Sequence, residues 1–405
     1  MIVRTKLTAS PQGETLLQQI EHNPQILHYI SISPTPNCFF LHTVNELLND
    51  KDIIVQQVIE CKSAGYDIAW YGNSTSDITP HGFPVEYFEY QAGAYHENGV
   101  ATESQQWNCI DKGLYQPGKT TKPTRLAILK YLDEANQLHK LDYSLKVLEP
   151  SDPTISANVI KSQQDCIDTI GGTVEYFLSL NRTMDIEMTD ICANGMQHYV
   201  GYPYQTRIYE NTGWSLIAES NTGFNVPNPW EPVQPRLYQD GPMISEKTYR
   251  PIMNSHPFVI VGEYGLHEHL NKLGYQTFEK FYGITLDKFY PMSQCPASDN
   301  TRSAHHDYES IQYVVSHFYN NISANQDEVR EMVTHNKQLL LANYKKTKQW
   351  LLDKDEYVLG STGDRVMNLH DFFWQAISYR NNNGKDLTIM QTAPEKYIIS
   401  LDQLK

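Results

Sequence analysis

The stretch that decides the fold runs from Trp214 to Phe278. It opens with WSLIAESN at 214–221 and, after a long loop rich in Asn, Pro and Gly, continues as MISEKTYRPIMNSHPFVIVGEYGLHEHLNKLGYQTF at 243–278. The apolar runs Trp214–Glu219 and Pro257–Val261 are short, which is typical of buried strands. Amphipathic segments at Ser245–Asn254 and Leu266–Leu273 predict a helix before and after the second strand. Strands that alternate with helices predict an α/β fold with a parallel sheet.

The same alternation extends towards the N-terminus. Lys122–His139 is the clearest helix, with Pro123 in its first turn. Asp52–Ser63 and part of Ser151–Asp168 are also predicted to be helical. We expect further strands in a series of short apolar segments: Tyr66–Tyr71, Val85–Tyr90, Gln106–Ile110, Leu145–Leu148 and Tyr275–Phe278.

This pattern predicts two Rossmann-like domains that face each other across a cleft. We expect an N-terminal α/β domain at 1–172 and a second α/β domain at 173–345. A helical extension at 346–405, with a last helix at Asn368–Tyr379, would pack back on the first domain. Ligands of such sheets bind outside the carboxyl ends of the strands.

Composition excludes several classes of protein. The chain has 405 residues, of which 32 are Lys or Arg and 47 are Asp or Glu, so the net charge is −15. This balance argues against broad phosphate contact with duplex DNA. There is no run of about 18 apolar residues, which predicts no membrane span, and no apolar leader near Met1. The expected location is therefore the cytoplasm. Six scattered cysteines without a CxxC pair are expected to be reduced thiols.

The segment Ser245-Glu246-Lys247 has a composition that suits a phosphate-bearing ligand. Ser245 is a good N-cap, and the free N–H groups of a helix start favour anions. Lys247 can pair with a phosphate, and Glu246 can accept hydrogen bonds from ribose hydroxyls. The alternative is a solvated first turn in which Glu246 only complements the helix dipole.

In its order of motifs, the deciding stretch resembles the donor-binding half of GT-B glycosyltransferases. A strand ending in Glu-Ser-Asn, then S-E-K-x-x-R, then P-F-V-I-V-G is similar to the fucosyltransferase type and closer to glycosyltransferase-like proteins of large bacterial viruses. A weaker similarity covers Trp107–Lys140, and residues 1–100 carry none. Serine replaces the usual threonine before Glu246, and His256-Pro257-Phe258 replaces a small, glycine-containing segment, which bears on the choice of sugar nucleotide.

The resemblance implies roles for individual residues. Glu246 would hold the ribose, Lys247 would neutralise the diphosphate leaving group, and Arg125 would contact the donor phosphate or the acceptor. The strand end would face the donor, the domain at 173–345 would bind the nucleotide sugar, and the domain at 1–172 would lie on the acceptor side. The full set of expected substrate-binding residues is Glu219, Ser220, Asn221, Ser245, Thr248, Arg207, Tyr202 and Asn108.

Each of these assignments has a structural alternative. Arg125 also fits a surface arginine near a helix start, Asn108 fits a turn, and Tyr202 fits simple packing. A general base for an inverting reaction is left open among Asp67, His81 and His96. No metal site is expected: His305-His306-Asp307 lacks a third ligand at helical spacing, and Asp185, Glu187 and Asp190 do not form a D-x-D motif.

The resulting hypothesis is a metal-independent glycosyltransferase without a cofactor other than its nucleotide-sugar donor. The acceptor is left open between a hydroxylated base of phage DNA, a glycan and a small molecule. If the protein is viral, its expected location is the host cytoplasm. DNA as acceptor would need a local basic patch from lysines such as Lys112, Lys119 and Lys122. The alternatives are a non-catalytic GT-B-like binding or structural protein and a sugar-nucleotide epimerase. The oligomeric state is left open.

Overall fold

The computed structural model describes part of the chain. The described residues are 2–3, 38–42, 63, 67–72, 83–97, 107–119, 123–152, 155, 157–182, 206–219, 244–262, 265–290, 308–353, 357–359, 366–368, 389–393 and 396–399. The chain divides into two compact units. The first comprises residues 1–100, 188–204 and 340–405, and the second comprises residues 101–187 and 205–339.

The first unit contains a four-stranded parallel sheet. Its strands follow in chain order as β1 (Ile2–Val3), β2 (Cys38–His42), β3 (Asp67–Gly72) and β4 (Phe83–Glu86). Helix α1 (Tyr87–Glu97) follows β4 directly. The predicted strand at Val85–Tyr90 therefore gives way to a helix after two residues, whereas the prediction of a strand at Tyr66–Tyr71 is confirmed by β3.

The second unit is an α/β unit with its own four-stranded parallel sheet. Its elements in chain order are β5 (Gly113–Lys119), α2 (Pro123–Glu134), β6 (Leu141–Lys146), α3 (Ala157–Thr169), α4 (Val174–Ser179), α5 (Thr206–Glu210), β7 (Trp214–Ala218), α6 (Glu246–Met253), β8 (Phe258–Val261), α7 (Leu266–Lys272), α8 (Leu286–Phe289), α9 (Tyr308–Ser323) and the part of α10 (Gln326–Asp353) up to Leu339. The strands lie in the order β6-β5-β7-β8, and all pairs are parallel. The α/β class and the parallel sheets are as predicted.

This sheet crosses the predicted domain boundary between residues 172 and 173. Strand β5 pairs with β7 through Gly113 opposite Trp214 and Tyr115 opposite Leu216, so segments from both sides of that boundary share one sheet. The structure therefore places the divisions between the two units after residues 100, 187, 204 and 339. The physical reason is that strand order depends on pairing between distant segments, which the local alternation of helices and strands does not specify.

Helices cover both faces of the second sheet. Side chains alternate along a strand, so Trp214 and Glu219 lie on opposite faces. Trp214 packs edge-on against Phe318 of α9, with ring centroids 5.5 Å apart, while Glu219 bonds to the first turn of α6. Every side chain of β7 and β8 is buried, as expected for a parallel sheet that is covered on both faces.

Strand β5 begins later than predicted. The predicted strand at Gln106–Ile110 has no regular structure in its described part, residues 107–110, and the strand instead occupies Gly113–Lys119. Its Pro117-Gly118 pair, which reads as a turn in sequence, lies where the pairing register with β6 shifts between Tyr115 and Gly118. A bulge tolerates proline because the local ladder is already interrupted.

The segment Tyr275–Phe278 is not a strand either. The side-chain amide of Asn336 in α10 accepts a hydrogen bond from the backbone N–H of Gln276 at 2.7 Å and donates to its carbonyl at 2.8 Å. One amide side chain thus occupies both backbone groups that a neighbouring strand would pair. A 3₁₀ turn at Glu279–Phe281 follows.

The outer edge of β8 is covered by two tyrosines and a histidine. The Ile260 N–H donates to the Tyr282 hydroxyl at 3.0 Å, and the Tyr290 hydroxyl donates to the Ile260 carbonyl at 3.0 Å. His267 lies between the two hydroxyls, with Nε2 3.0 Å from Tyr282 and Nδ1 3.4 Å from Tyr290. These side chains satisfy the backbone groups that an edge strand leaves unpaired.

The C-terminal region contains strands as well as a helix. Residues 340–353 of α10 belong to the first unit, where Tyr344 packs on Tyr90 and its hydroxyl donates to Glu97 of α1. Beyond α10 the described residues form two antiparallel pairs, β9 (Tyr357–Leu359) with β10 (Val366–Asn368), and β11 (Ile389–Ala393) with β12 (Lys396–Ile399). The extension is therefore not helical throughout, and the predicted helix at Asn368–Tyr379 lies, apart from Asn368, outside the described residues.

Across the part of the chain that the structure describes, no helix combines the length and the apolar character needed to cross a membrane.

Candidate functional site

The order of the strands in the second unit creates a crevice between β5 and β7. From β5 the chain passes through α2 to β6 on one side, and from β7 it passes through α6 to β8 on the other side. At such a switch point the two following helices diverge, so the carboxyl ends of β5 and β7 leave a gap where ligands of open α/β sheets bind. Helix α2 begins at Pro123 and α6 at Glu246, so both helices start at this edge of the sheet.

A buried carboxylate fastens the start of α6 to the end of β7. Glu219, directly after β7, is 1% exposed. Its Oε1 accepts hydrogen bonds from the Ser245 N–H at 3.0 Å and the Thr248 hydroxyl at 2.6 Å, and its Oε2 accepts one from the Ser245 hydroxyl. Three donors on one carboxylate fix where the first turn of α6 lies relative to the strand.

Ser245 caps helix α6 and also binds the side chain of Lys247. Its Oγ accepts hydrogen bonds from the backbone N–H of Lys247 at 3.3 Å and from Lys247 Nζ at 3.1 Å. The predicted N-cap is thereby confirmed. Glu219, Ser245 and Lys247 form a continuous hydrogen-bonded chain that orients the ammonium group of Lys247.

Glu246 lies in a cluster of positive charges. Its Oε1 is 2.8 Å from Lys247 Nζ and 3.7 Å from a guanidinium nitrogen of Arg250, one helical turn further along. Burial alone would raise the pKa of Glu246, but Lys247, Arg250 and Arg125 together lower it to about 2. Both ion pairs fall on Oε1.

Arg125 joins the same cluster from the first turn of α2. It is buried, and the hydroxyl of Tyr115 in β5 donates to its carbonyl oxygen at 3.1 Å. Burial lowers the pKa of Arg125, while the nearby negative charges of Glu246 and Glu219 oppose that shift. Three cations, Arg125, Lys247 and Arg250, thus surround two carboxylates at the switch point, so the described residues of the cluster carry a net positive charge.

A narrow cavity opens beside α6 on the sheet. Its apolar lining comes from Leu114, Leu216, Ile217, Ala218 and Pro251, and its polar lining from Gln116, Tyr209, Ser215, Lys247 and Arg250. The Ser215 hydroxyl is engaged with Nδ1 of the buried His256 at 3.0 Å, and His256 Nε2 bonds the Tyr209 carbonyl at 2.8 Å. Burial lowers the pKa of His256 to about 4, so this histidine is a neutral structural link.

The structure brings together six of the residues predicted from the sequence: Arg125, Glu219, Ser245, Glu246, Lys247 and Thr248. Thr248 and Glu219, both expected to face the substrate, bond to each other instead. Because Glu219 lies next to the N–H and hydroxyl groups that begin α6, its oxygens bind those donors. It is therefore a positioning residue for α6.

The remaining predicted residues are placed differently. Asn108 is exposed and precedes β5 by five residues, at the amino edge of the sheet and so at the opposite edge from Glu219, because the strand begins at Gly113. Arg207 lies in α5, although its side chain is outside the described part. Tyr202, Ser220 and Asn221 lie outside the described residues.

Sequence reasoning did not select Arg250, Tyr115 or Gln116. The signal for Arg250 was present, since S-E-K-T-Y-R places it four residues after Glu246 on one helix face. Tyr115 and Gln116 belong to β5. The sequence did not predict a strand there because the Pro117-Gly118 pair that follows is typical of a turn.

The described part of the chain contains no cluster of three or more His, Cys, Asp or Glu side chains arranged to hold a metal ion. His305, Asp185 and their neighbours lie outside it. Cys109 and Cys166 are reduced thiols. Lys112 lies 3.7 Å from Asp142. The side chain of Lys119, at the end of β5, is outside the described part, and so is Lys122.

Comparison of the chain with models of known protein families, with curated proteins and with solved structures finds no match.

Proposed function

We propose that the chain is a GT-B glycosyltransferase that moves a sugar from a nucleotide-diphosphate donor to an acceptor hydroxyl. The observation that carries the proposal is the position of Lys247. It lies in the first turn of α6, at the switch point of a parallel sheet, and Ser245 holds its ammonium group at 3.1 Å. The resemblance of the surrounding motifs to donor-binding halves of such enzymes supports the same assignment.

In the proposed mechanism the leaving nucleotide diphosphate is neutralised by Lys247 and the start of α6. Glycosyl transfer builds negative charge on the departing diphosphate as the bond to the sugar breaks. Fixed positive groups at that position stabilise the transition state more than the bound donor. Arg125 and Arg250 add positive charge to the same cluster, so the proposed reaction requires no metal ion.

Glu246 is the proposed ribose ligand. The cations hold its carboxylate ionised, and they contact Oε1. The second oxygen, Oε2, is then the acceptor for a ribose hydroxyl. A carboxylate fixed next to the diphosphate-binding lysine places the ribose at the correct distance from the phosphates.

The proposal extends to the architecture and the acceptor. We propose that the two units, each with a parallel sheet, face each other across a cleft, with the donor against residues 200–280 and the acceptor against the other unit. Closure of that cleft would exclude water that hydrolyses the donor. The proposed acceptors are a hydroxylated base of phage DNA, a glycan or a small molecule.

A panel of nucleotide sugars tests the proposal. The full chain is mixed with UDP-, GDP-, CMP- and dTDP-linked sugars, and its melting temperature is measured. A donor at a hundredfold excess over its Kd stabilises the protein by about 2.7 kcal/mol, which raises the melting temperature by a few degrees. Release of free nucleotide on addition of acceptors then separates an enzyme from a non-catalytic binding protein. Absence of any shift across the panel contradicts the proposal.

A further inference from the structure

The cavity beside α6 contains hydrogen-bond donors that the proposed contacts with ribose and leaving group do not use. Gln116 reaches it from β5 and Arg250 from α6, and Lys247 lines it as well. The Gln116 Nε2 and Arg250 Nε atoms are both buried, and neither has a hydrogen-bond partner among the residues that the structure describes.

Two such donors in one cavity are unusual. Buried polar atoms nearly always have a partner, and leaving one without a partner is energetically costly. The cavity's Ser215 hydroxyl, which donates to His256 Nδ1 at 3.0 Å, accepts a hydrogen bond from neither of them. The remaining walls are largely apolar. The cavity therefore offers donors and positive charge to an oxygen atom that must come from elsewhere.

Arg250 connects this cavity to the charge cluster. One terminal nitrogen of its guanidinium lies 3.7 Å from Glu246 Oε1, and Arg250 also lines the cavity, with its Nε buried. The guanidinium is planar and rigid, so the Glu246 contact fixes the direction in which Nε points. Lys247 and Arg250 together outweigh the single charge of Glu246, which favours a negatively charged occupant.

We propose that this cavity is an oxyanion subsite in which Gln116, Arg250 and Lys247 hold an oxygen of a phosphoryl or carboxylate group of the ligand. Such an oxygen is a terminal atom of the donor diphosphate or belongs to the carboxylate of an acidic sugar. As a subsite for the donor, the assignment rests on the proposed function. As an anion site it stands on the cavity's own residues, and Gln116 is its distinguishing member because it has no part in the S-E-K motif.

Titration calorimetry with small anions tests the subsite directly. The full chain is titrated with inorganic pyrophosphate and, separately, with glucuronate. We compare wild type with Gln116→Leu, which has similar size but no donor, and Gln116→Glu, which places a negative charge in the cavity. Gln164→Leu is the matched control, since Gln164 lies on α3 and bonds Asp168 at 2.6 Å.

The expected result is a loss of anion affinity in Gln116→Leu of roughly tenfold or more, the range for a lost hydrogen bond to a charged group. Gln116→Glu should bind still more weakly, and Gln164→Leu should match wild type. The melting temperature of ligand-free Gln116→Leu should equal or exceed that of wild type, because a buried donor without a partner is removed. If Gln116 had a purely structural role, the melting temperature of Gln116→Leu would be lower than that of wild type. If the leucine variant does not fold, the calorimetric comparison rests on Gln116→Glu.

The two anions identify the source of the oxygen. Tighter binding of pyrophosphate that depends on Gln116 supports a diphosphate, and tighter binding of glucuronate that depends on Gln116 supports an acidic sugar. Equal affinities in wild type and both variants, or no binding of either anion to wild type, overturn the subsite. Binding of anions that depends on Gln116 in a protein that binds no nucleotide sugar would support the subsite and contradict the proposed function.

Discussion

The carboxylate of Glu219 accepts hydrogen bonds from both the backbone N–H and the hydroxyl of Ser245, 26 residues further along the chain. The strand end and the helix start are thus joined by a charged group inside the protein. Because Ser245 in turn holds Lys247, the orientation of the lysine depends on a residue that does not itself face the crevice.

Glu219→Gln is expected to destabilise the protein. The amide removes the charge and presents N–H groups to donors that need an acceptor. We expect the free energy of unfolding to fall by about 2–3 kcal/mol, the range for hydrogen bonds to charged groups. Urea denaturation measures the change, and Glu210→Gln, at an exposed position of α5, should stay within about 0.5 kcal/mol of wild type. A stable Glu219→Gln protein would contradict the role assigned to Glu219.

Local sequence signals were sufficient for the elements that carry the site. Trp214–Ala218 and Phe258–Val261 are short apolar runs, and Ser245 precedes an amphipathic segment with an acidic first turn, so strand, strand and helix were all predicted. Each of these signals lies within a few residues of the feature it specifies.

Features that depend on distant residues were not predictable. The bond between Glu219 and Thr248 joins residues 29 positions apart, and Asn336 replaces a strand partner for Gln276 from 60 positions away. The order β6-β5-β7-β8 likewise results from pairing across long loops. The strands and the helix that carry the candidate site therefore follow from local signals, whereas the pairing between distant segments does not.

Lys247→Ala is expected to weaken donor binding without unfolding the protein. The change removes a charge-assisted contact with the diphosphate, which should cost about 1.5–3 kcal/mol of binding free energy. Titration calorimetry with the preferred nucleotide sugar measures it. Lys272→Ala is the matched control, because that lysine is 70% exposed and pairs only with Glu268 among the residues described. Equal affinity in the Lys247 and Lys272 variants would argue against the assignment.

Glu246→Gln separates a ribose ligand from a dipole partner. The amide keeps the size and one acceptor oxygen but loses the charge. If Glu246 holds the ribose, nucleotide affinity should fall by about 1.5–3 kcal/mol. A residue that only complements the helix dipole would leave binding unchanged and reduce stability by a few tenths of a kcal/mol. We expect the first outcome. Calorimetry with inorganic pyrophosphate is the control, since pyrophosphate has no ribose and should not lose affinity in this way.

Stability is expected to fall on mild acidification because of two buried histidines. Burial lowers the pKa of both His256 and His267 to about 4, although Glu279 partly opposes the shift at His267. A histidine whose pKa is lower in the folded than in the unfolded protein stabilises the fold fully above about pH 6.5. That contribution decreases as the pH falls towards 4, by an amount of the order of 3 kcal/mol per residue.

The measurement is urea denaturation between pH 8 and pH 5, above the range in which Glu246 titrates. His256→Asn and His267→Gln should each flatten the pH dependence by removing one titrating group, even if they lower stability throughout. His317→Gln, on α9 and far more exposed, is the control and should leave the slope as in wild type. A wild-type curve that is flat over this range would contradict neutral burial of the two rings.

The hydroxyls of Tyr282 and Tyr290 should be energetically coupled through His267. The Tyr282 hydroxyl accepts a hydrogen bond from the Ile260 N–H and donates its own proton to His267 Nε2. His267 Nδ1 then carries the ring hydrogen and donates it to the Tyr290 hydroxyl. The Tyr290 hydroxyl in turn donates to the Ile260 carbonyl. Burial raises the pKa of Tyr282, which keeps the proton on its hydroxyl.

Each Tyr→Phe change preserves ring packing and should cost about 1–3 kcal/mol of unfolding free energy, since it leaves a buried backbone group of β8 without a partner. The double variant should cost less than the two single changes added together, because the first change already breaks the closed circuit; an interaction energy of at least 0.5 kcal/mol is expected. Urea denaturation of the four proteins at pH 7.5, where His267 is neutral, gives this energy. Additive costs would mean that the two tyrosines cap the strand edge independently and that His267 does not couple them.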